Sequence, residues 1–387
     1  MSEEKPNVPK LRFPGFADPW EQRKFSDLFS YERPDAYIVN NDEYDDSNPT
    51  PVLTANKGFI LGYTAETRTH EGPCVIFDDF TLDCKLVTFP FMVKSSAMKI
   101  LHCHDGVDLT FAYERLCSAK IEALGHARHY ISVVQNTESA IPSYEEQSAI
   151  GRVLSNLDTL ITLHQRKLDH LKEMKKGLLQ KMFPKNGESI PELRFPGFAD
   201  PWEQRKLGEI AEIVGGGTPN TSVEEYWDGD IDWYTPAELG DRRYVDSSLR
   251  KITQAGYDNS SARMLPANRT ILFTSRAGIG NTAILCSSAC TNQGFQSLVV
   301  GDSADVDFIY SLSDDIKRKA EIKASGSTFL EISGKRLTEI EVLAPALVEQ
   351  VQIGSFFRQL DSLIALHQRK LDHLKQMKKG LLQQMFV

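Results

Sequence analysis

The sequence predicts an α+β protein built from two diverged globular domains and two long helices, arranged as an internal repeat. Three observations predict this class. The segment LRFPGFADPWEQRK occurs without change at 11–24 and at 193–206. The helical stretch at 157–183 returns at 360–386 with only four substitutions. The interiors between these copies look unrelated to each other, but both contain short β-branched and aromatic runs bounded by Gly, Pro, Asn or Asp, which are typical of strands.

The two copies of LRFPGFADPWEQRK, which we call the repeat frames, divide the chain. From Leu11 to Leu157 there are 146 positions and from Leu193 to Leu360 there are 167, so the second interior is longer by 21 residues. Surface loops of related domains accommodate differences of this size. We therefore predict a first domain at 1–142, a long helix at 143–185, a linker at 186–192, a second domain at 193–345 and a second long helix at 346–387.

The stretch 143–185 is predicted to form one continuous helix. Pro142 precedes it, and Ser143 with Glu146 has the spacing of a capping box. About 40 helical residues span roughly 60 Å, and so narrow an apolar stripe needs a partner, so we expect the two copies to bury their stripes against each other. The stripes are Leu157, Ile161, Leu168, Leu171, Met174, Leu178 and Met182 in the first copy and Leu360, Ile364, Leu371, Leu374, Met377, Leu381 and Met385 in the second.

Few residues suggest a metal site. His164 and His367 interrupt the stripes and are interpreted as polar positions that fix the register of a helix seam, rather than as metal or proton-transfer sites. His102-Cys103-His104 could belong to a zinc site, but no paired C-x-x-C accompanies it, so buried or inert side chains are favoured. The six cysteines are too sparse for a disulfide framework. We expect no metal.

The composition is that of an ordinary globular protein. The chain has 387 residues, of which 41% are hydrophobic and 25% charged. No stretch approaches the roughly 18 apolar residues of a membrane span, and the start, MSEEKPNVPK, lacks the apolar core of a signal peptide. We therefore expect a cytoplasmic protein.

The sequence lacks the common catalytic motifs. It contains no phosphate-binding loop, no G-x-S-x-G elbow and no H-E-x-x-H. The glycine-rich segments 215–217 and 277–280 have no dinucleotide spacing and are interpreted as tight loops where backbone approaches another surface. Asp78-Asp79 could be a carboxylate pair for metal or acid–base work, but a strand-end turn is favoured. We expect no catalytic residue.

Polar side chains at strand ends of the second interior predict a recognition surface. Arginine suits guanine and asparagine or glutamine suits adenine, although Asn292 and Gln293 could equally close a loop. The net charge of −9 argues against a nucleic-acid partner. A DNA binder of this composition would need cations focused on one face, as at 145–185 with eight Lys/Arg against five Asp/Glu, or supplied by a partner. The candidates are Thr274, Ser275, Arg276, Gly278, Gly280, Asn281, Asn292 and Gln293.

The chain resembles, over essentially its full length, the specificity subunit of type I restriction-modification systems. The duplicated helices and both interiors carry the resemblance. The motifs of the second interior are Gly217-Thr218-Pro219, Tyr226-Trp227, Ser275 to Gly280, Thr291 to Phe295, Ser325-Gly326-Ser327 and Glu349-Gln350. Those of the first, which looks like another branch of the same domain, are Tyr31 to Pro34, Leu61-Gly62-Tyr63, Ile76 to Thr81, Lys94 to Ala97 and Glu146-Gln147.

The resemblance implies a division of labour. Each target-recognition domain would read one half of a bipartite site on double-stranded DNA. The two helices would pack antiparallel as a coiled coil with approximate twofold symmetry, set the spacing, and dock two modification subunits. Those subunits would carry S-adenosylmethionine and the adenine methyltransferase chemistry, and restriction subunits would add ATP- and Mg-dependent translocation and cleavage. This chain would catalyse nothing.

Candidates for DNA contact in the first domain are Tyr63, Lys85, Lys94, Ser95 and Ser96. Two alternatives stay open. One is a scaffold whose helices assemble partners and whose interiors bind protein rather than DNA. The other is a fused nuclease–methyltransferase, which the missing motifs disfavour.

Overall fold

The structure is a computed structural model that describes residues 7–54, 58–119, 121, 129–185, 187–240, 242–276, 278–325 and 330–386. Ala277, Gly326 and Ser327 of the motifs above lie outside the described residues. The chain divides into two compact units, unit 1 with Met1–Gln165 and Arg369–Val387, and unit 2 with Arg166–Gln368. The division falls inside both long helices, so each unit contains the beginning of one long helix and the end of the other.

The long helices are continuous, as predicted. They begin one residue later and end up to three residues earlier than the sequence indicates. Ser143 Oγ accepts the N–H of Glu146 at 3.4 Å, as in a capping box, but the Glu146 carboxylate binds Arg12 instead. The α-helices are α1 (Phe25–Leu28), α2 (Leu109–Ser118), α3 (His129–Ser132), α4 (Tyr144–Met182), α5 (Leu207–Ile210), α6 (Gln254–Asp258), α7 (Val306–Ser311), α8 (Ser313–Lys323), α9 (Gly334–Thr338) and α10 (Leu347–Met385).

Unit 1 contains three small sheets. Their strand orders are β1-β9, β2-β8-β5-β6 and β4-β3-β7, and among these described strands only β3 and β7 pair in parallel. The strands are β1 (Glu21–Lys24), β2 (Phe29–Glu32), β3 (Thr50–Leu53), β4 (Ile60–Thr64), β5 (Cys74–Asp78), β6 (Cys84–Val87), β7 (Met92–Val93), β8 (Met98–Cys103) and β9 (Glu138–Ile141).

Unit 2 repeats this topology. Its strand orders are β10-β19, β11-β18-β15-β16-β13 and β14-β12-β17, so every sheet of unit 1 has a counterpart and β13 is an addition at an edge. The interiors that look unrelated in sequence are therefore diverged copies of one domain, as the repeat predicts. The strands are β10 (Glu203–Lys206), β11 (Ala211–Gly215), β12 (Trp227–Tyr234), β13 (Tyr244–Val245), β14 (Arg250–Ile252), β15 (Thr270–Phe273), β16 (Thr282–Leu285), β17 (Cys290–Thr291), β18 (Gln296–Val300) and β19 (Glu341–Ala344).

Each repeat frame packs against the C-terminal end of a long helix. In unit 1 the N–H of Leu11 donates to Gln384 O of α10 at 2.9 Å. In unit 2 the N–H of Leu193 donates to Lys181 O of α4 at 2.8 Å. Since 181 and 384 are the same position of the helical repeat, the two contacts are equivalent.

Matching ion pairs fix the frames to the beginnings of the helices. Arg12 binds Glu146 of α4 through two contacts of 2.7 Å, and Arg194 binds Glu349 of α10 in the same way. Both glutamates are 1% exposed, and such bidentate pairs are strongly directional. Trp20 and Trp202 in the frames are 2% and 3% exposed, so each frame also contributes a buried indole to the core of its unit.

The helices run antiparallel where they meet. In unit 2, Lys175 Nζ of α4 lies 2.6 Å from Asp361 of α10, and the rings of Phe183 and Phe357 lie 6.0 Å apart. Residue numbers therefore increase along α4 in the direction in which they decrease along α10. The predicted leucine and isoleucine stripe is inward. Leu157, Leu168, Leu171, Leu360 and Leu371 are buried, and Ile161, Leu178, Ile364, Leu374 and Leu381 are half-buried.

Two methionines of the predicted stripes face outward. Met174 is 39% exposed and Met377 38% exposed. The reason in unit 2 is that Lys175, one residue later, turns inward to reach Asp361 and takes the position that the stripe assigns to Met174.

None of the described helices combines the length and apolar composition that a bilayer span requires.

Candidate nucleic-acid interface

Three loops of unit 2 meet and form what we call the second recognition face. The loops are 216–218 after β11, 274–281 between β15 and β16, and 292–295 after β17. Ser275 N–H donates to Gly294 O at 2.8 Å, and Gly217 N–H donates to Thr291 O at 2.8 Å. Backbone hydrogen bonds thus hold together loops that are distant from one another in sequence.

Glycines let these loops approach other backbone. A Cβ on Gly216 would overlap Asn292 O, which confirms the close approach predicted for the glycine run. Gly278 and Gly280 have φ angles of +106° and +83°, in the region that favours glycine. A Cβ on Gly280 would lie 2.5 Å from Lys317 Cγ, so the loop rests on α8.

Thr274 and Ser275 lie inside the domain rather than on the recognition face. Both are fully buried. Thr274 N–H donates to Asn281 O at 3.0 Å, and Thr274 Oγ1 accepts the N–H of Asn281 at 2.9 Å. The two residues therefore close the base of the loop, and the structure corrects the expectation that they reach DNA directly.

Arg276 and Asn281 carry the free polar groups of this loop. Arg276 is half-buried, and its guanidinium makes no hydrogen bond or ion pair with any residue that the structure describes. Asn281 is exposed and uses only its backbone within the described ranges. Lys317, whose stem packs beside Gly280, also lacks an ion-pair partner among the described residues. Nothing in the local sequence indicates Lys317, because only the tertiary fold brings α8 to this loop.

Asn292 and Gln293 serve the loop with their amide oxygens. Asn292 Oδ1 accepts the N–H of Gly294 at 2.8 Å. Gln293 Oε1 accepts a short hydrogen bond from the Thr218 hydroxyl. Both amide oxygens therefore help to close the loop, whereas the amide N–H₂ groups can still donate hydrogen bonds to other partners.

Unit 1 has an equivalent surface, which we call the first recognition face. It consists of the turn 79–83 between β5 and β6, Lys85 and the loop 94–97 after β7. Asp79 N–H donates to Ala97 O at 3.2 Å, in the same place as the Ser275–Gly294 hydrogen bond of unit 2. Counted back from Ala97 and Gly294, Ser95 and Ser96 correspond to Asn292 and Gln293. Counted forward from β7 and β17, Lys94 and Ser95 do, since the N–H of Lys94 donates to Leu53 O as that of Asn292 donates to Tyr234 O. The loop of unit 1 is thus one residue longer, and the candidates of the two interiors lie on equivalent loops.

The side chains of the first face differ in how free they are. Lys85 is exposed, with Nζ 5.9 Å from the centre of the Phe59 ring. Lys94 forms an ion pair with Asp42, and this hydrogen bond raises the pKa of Lys94 and lowers that of Asp42. Ser95 and Ser96 are exposed. Lys85 is thus the more available cation.

Tyr63 lies apart from the other candidates of unit 1. It pairs with Pro51 near the start of β3. Lys94 instead follows β7, and its N–H donates to Leu53 O at the end of β3, at 2.9 Å. Because β4 runs antiparallel to β3, Tyr63 lies toward the end of β3 that is opposite the first recognition face. The structure therefore does not bring it together with Lys85, Lys94, Ser95 and Ser96.

A cluster of Glu32, His70 and His102 is the single group, within the described part of the chain, whose spacing could hold a metal ion. His102 Nε2 lies 2.8 Å from Glu32 Oε2 and 3.4 Å from His70 Nε2. However, His70 Nδ1 accepts the N–H of Gly72 at 2.9 Å, which places the proton of the neutral ring on Nε2, the nitrogen that a metal would need. Burial lowers the pKa of His70 and favours that neutral ring. The Gly72 N–H therefore disfavours His70 Nε2 as a metal ligand.

The chain is similar to known proteins over most of its length. A family model described as type I restriction modification DNA specificity domain matches residues 199–376. The specificity subunit of the type I restriction enzyme EcoR124I/EcoR124II of Escherichia coli is 33% identical over 362 residues, which cover 87% of this chain and 85% of that protein.

Solved structures share the fold. The S subunit of a type I restriction-modification system from M. genitalium matches with a TM-score of 0.70 and 18% identity, over 98% of this chain and 99% of that chain. A chain from a structural study of complex assembly and conformational transition in the type I R-M system matches with a TM-score of 0.50 and 17% identity, over 97% and 98%.

Proposed function

The chain belongs to the family of type I restriction enzyme specificity subunits, and on this premise we propose that each of its recognition faces reads one half of a bipartite DNA sequence. One observation carries the proposal. Two loops of the second face, 274–281 and 292–295, have counterparts in unit 1 at 79–83 and 94–97, joined by an equivalent backbone hydrogen bond and carrying different side chains. Two equivalent domains with different side chains on their recognition faces suit two half-sites that differ in base sequence.

In the second face, side-chain chemistry supports base readout by the free donors. The Arg276 guanidinium can donate two hydrogen bonds to guanine, and the amides of Asn281, Asn292 and Gln293 can donate to base acceptors. Thr274 and Ser275 close the base of the loop, and the positive φ angles of Gly278 and Gly280 let its backbone turn tightly. Lys317 suits a phosphate, which would fix position without specifying sequence.

In the first face, Lys85, Ser95 and Ser96 supply the corresponding donors. Lysine can bind guanine O6 and N7, and serine hydroxyls can pair with several base edges. Lys94 would contact DNA only when its ion pair with Asp42 breaks, because the Asp42 carboxylate otherwise neutralises the lysine ammonium group. Tyr63 is left outside this proposal by its position on β4.

The long helices are proposed to dock two modification subunits. Leu160 and Leu163 of α4 are 43% and 57% exposed, and their repeat counterparts Leu363 and Leu366 of α10 are 46% and 39% exposed. Leucines three residues apart lie on one helix face, and exposed apolar pairs of this kind are typical of protein interfaces. The repetition of the pair supports two equivalent docking places.

We assign the chemistry to partners. In this proposal the modification subunits bind S-adenosylmethionine, the restriction subunits use ATP and Mg²⁺, and this chain has no catalytic residue. A cytoplasmic location accompanies this role, because the complex acts on intracellular DNA.

The test is reconstitution with cognate modification subunits, followed by genome-wide mapping of methylated bases. We expect a split motif. Exchange of 25–142 for the interior of a relative should change one half of that motif, and the matched exchange of 207–345 should change only the other half. If either exchange alters both halves, the proposed division between the faces is wrong.

A further inference from the structure

We propose that Phe80 is a specificity-determining residue of the first recognition face and that it contacts the methyl group of a thymine in the half-site read by unit 1. The inference rests on the proposed function, because it needs unit 1 to read DNA. It adds a residue, and a type of base contact, that the polar candidates do not include.

Phe80 is unusually exposed for its chemistry. Its side chain is 66% exposed, more than any other large apolar residue described in unit 1. The residues that precede it, Asp78 and Asp79, are both 3% exposed. The chain therefore turns from the interior to the surface within one residue, and it places an aromatic ring there.

The turn that presents Phe80 is firmly built. Asp78 Oδ1 accepts the N–H of Phe80 at 2.9 Å and that of Thr81 at 2.7 Å, and Leu82 N–H donates to Asp78 O at 3.0 Å. This confirms the interpretation of Asp78-Asp79 as a strand-end turn. Three hydrogen bonds thus fix the backbone that presents Phe80, and a phenyl side chain has only two χ angles to order on binding.

The neighbouring Asp79 fixes the turn from the other side. Its Oδ1 accepts the N–H of Tyr130 at 2.9 Å, and its Oδ2 lies 3.2 Å from Lys99 Nζ. Lys99 Nζ also donates to Ser96 O at 2.7 Å. Through Asp79 and Lys99, the turn that carries Phe80 is tied to the loop that carries Ser95 and Ser96.

Backbone register makes Phe80 the counterpart of Arg276. Asp78 pairs with Met98 in unit 1, and Thr274 pairs with Phe295 in unit 2. The following residues, Asp79 and Ser275, each donate their N–H to the loop after the parallel strand pair. One residue further along are Phe80 and Arg276. The position from which unit 2 offers a guanidinium is therefore the position from which unit 1 offers a phenyl ring.

A phenyl ring at a base-reading position selects an apolar feature. In the major groove the thymine 5-methyl is the apolar group of the base edges, and phenylalanine is one of the side chains that contact it. Burial of one methyl against the ring is expected to change affinity about fourfold. Phe80 would thus read thymine where Arg276 reads guanine.

The experiment uses the full chain reconstituted with its modification subunits and duplexes that carry the mapped motif. Each thymine of the half-site read by unit 1 is replaced in turn by deoxyuridine, which lacks the methyl group. We expect one replacement to weaken binding by about fourfold for the wild type. For Phe80→Ala the same replacement should have no effect, and Phe80→Leu should restore part of the sensitivity.

Arg276→Ala is the position-matched control, expected to relax recognition of the second half-site while leaving the deoxyuridine profile of the first unchanged. The inference is overturned if no thymine of the first half-site is sensitive, or if Phe80→Ala keeps the wild-type profile. The inference is also overturned if Phe80→Ala weakens binding, relative to the wild type on the same duplex, by the same factor on the thymine and the deoxyuridine duplexes, since a ring wedged between base steps would behave so.

The proposed function fails separately, when the motif is not split or when exchange of 25–142 leaves both halves intact. Because Phe80 is exposed, its variants should assemble and unfold like the wild type, which thermal unfolding and complex formation check.

Discussion

Lys378 and Lys175 occupy the same position in the two helical repeats, yet their surroundings differ. Lys378 Nζ lies 2.7 Å from Asp158 and 2.5 Å from Glu114, which is 3% exposed. Lys175 meets Asp361, whose other oxygen lies 2.5 Å from Arg243. Among the described residues Glu114 has one cationic partner, whereas Asp361 has two.

We expect Lys378→Met to destabilise the chain more than Lys175→Met. Without Lys378 the buried Glu114 lacks its partner, which costs about 3 kcal/mol for a buried pair. Without Lys175, Arg243 still neutralises Asp361, so the loss should stay below about 1 kcal/mol. Chemical denaturation of both variants at about pH 7.5 measures the difference, and equal losses would contradict it.

The deficit of Lys378→Met should also depend on pH. Burial already raises the pKa of Glu114 in the wild type, and loss of the lysine raises it further. A carboxyl group with a raised folded pKa destabilises the fold above its unfolded pKa, and the penalty disappears as the group is protonated. The deficit should therefore shrink as the pH falls from about 7.5 to about 5.

At the scale of elements, the long helices were the most predictable feature. An apolar stripe repeated every three or four residues is a local signal, and the structure ends α4 and α10 within three residues of the predicted bounds. Strand pairing is not local. The strand register that makes the two interiors equivalent is set by backbone hydrogen bonds, which form regardless of side-chain identity. A comparison of the two unrelated sequences therefore does not reveal this register.

The recognition faces show the same limit. Polar residues at strand ends indicate Arg276 and Asn281; the structure leaves the first half-buried and the second exposed, and their contact with DNA stays a prediction. Thr274 and Ser275 have equally polar side chains, but the loop folds back over them, which composition cannot reveal. Tyr63 is misplaced for a similar reason, because its position follows from the direction of β4 relative to β3.

Two glycines of α4 should respond in opposite ways to alanine. Gly151 packs on the N-cap of α2, where Asp108 Oδ1 accepts the N–H of Phe111 at 2.9 Å, and a Cβ there would overlap that oxygen. A Cβ on Gly177 would have open space, with no described atom within 4 Å outside the helix's own backbone. We expect Gly151→Ala to destabilise by about 1–3 kcal/mol and Gly177→Ala to stabilise by up to about 1 kcal/mol.

The repeat supplies matched controls for this pair. A Cβ on Gly354 of α10 would overlap Asp305 Oδ1, and Gly380 has open space among the described atoms. Each should reproduce the sign of its counterpart in urea denaturation. A Gly151→Ala variant at least as stable as the wild type would show that the helix does not press on the cap.

At the scale of the whole molecule, the charge of −9 bears on DNA affinity. Phosphate neutralisation by lysine and arginine supplies most non-specific affinity, and its strength falls with salt. We expect the isolated chain to bind DNA weakly or without sequence preference, and the complex with modification subunits to bind specifically.

Titration of labelled duplexes at several salt concentrations tests this expectation. The complex should have the steeper dependence of log K on log salt, because its partners add phosphate contacts. A scrambled duplex is the control for specificity. Nanomolar specific binding by the chain alone at physiological salt would refute the expectation.

The position of the repeat frames has a consequence for how the chain is completed. The frame at 11–24 hydrogen-bonds to the end of α10, and the frame at 193–206 hydrogen-bonds to the end of α4, so each half of the polypeptide supplies the helix end that the other half needs. Those helix ends differ at only four positions between 157–183 and 360–386. A half-chain would therefore lack a part that a second copy of itself could provide. The contacts therefore follow the pattern of two copies of one unit that exchange their helix ends: the frames and helix ends that make these contacts are nearly identical in sequence, whereas the interiors between them differ.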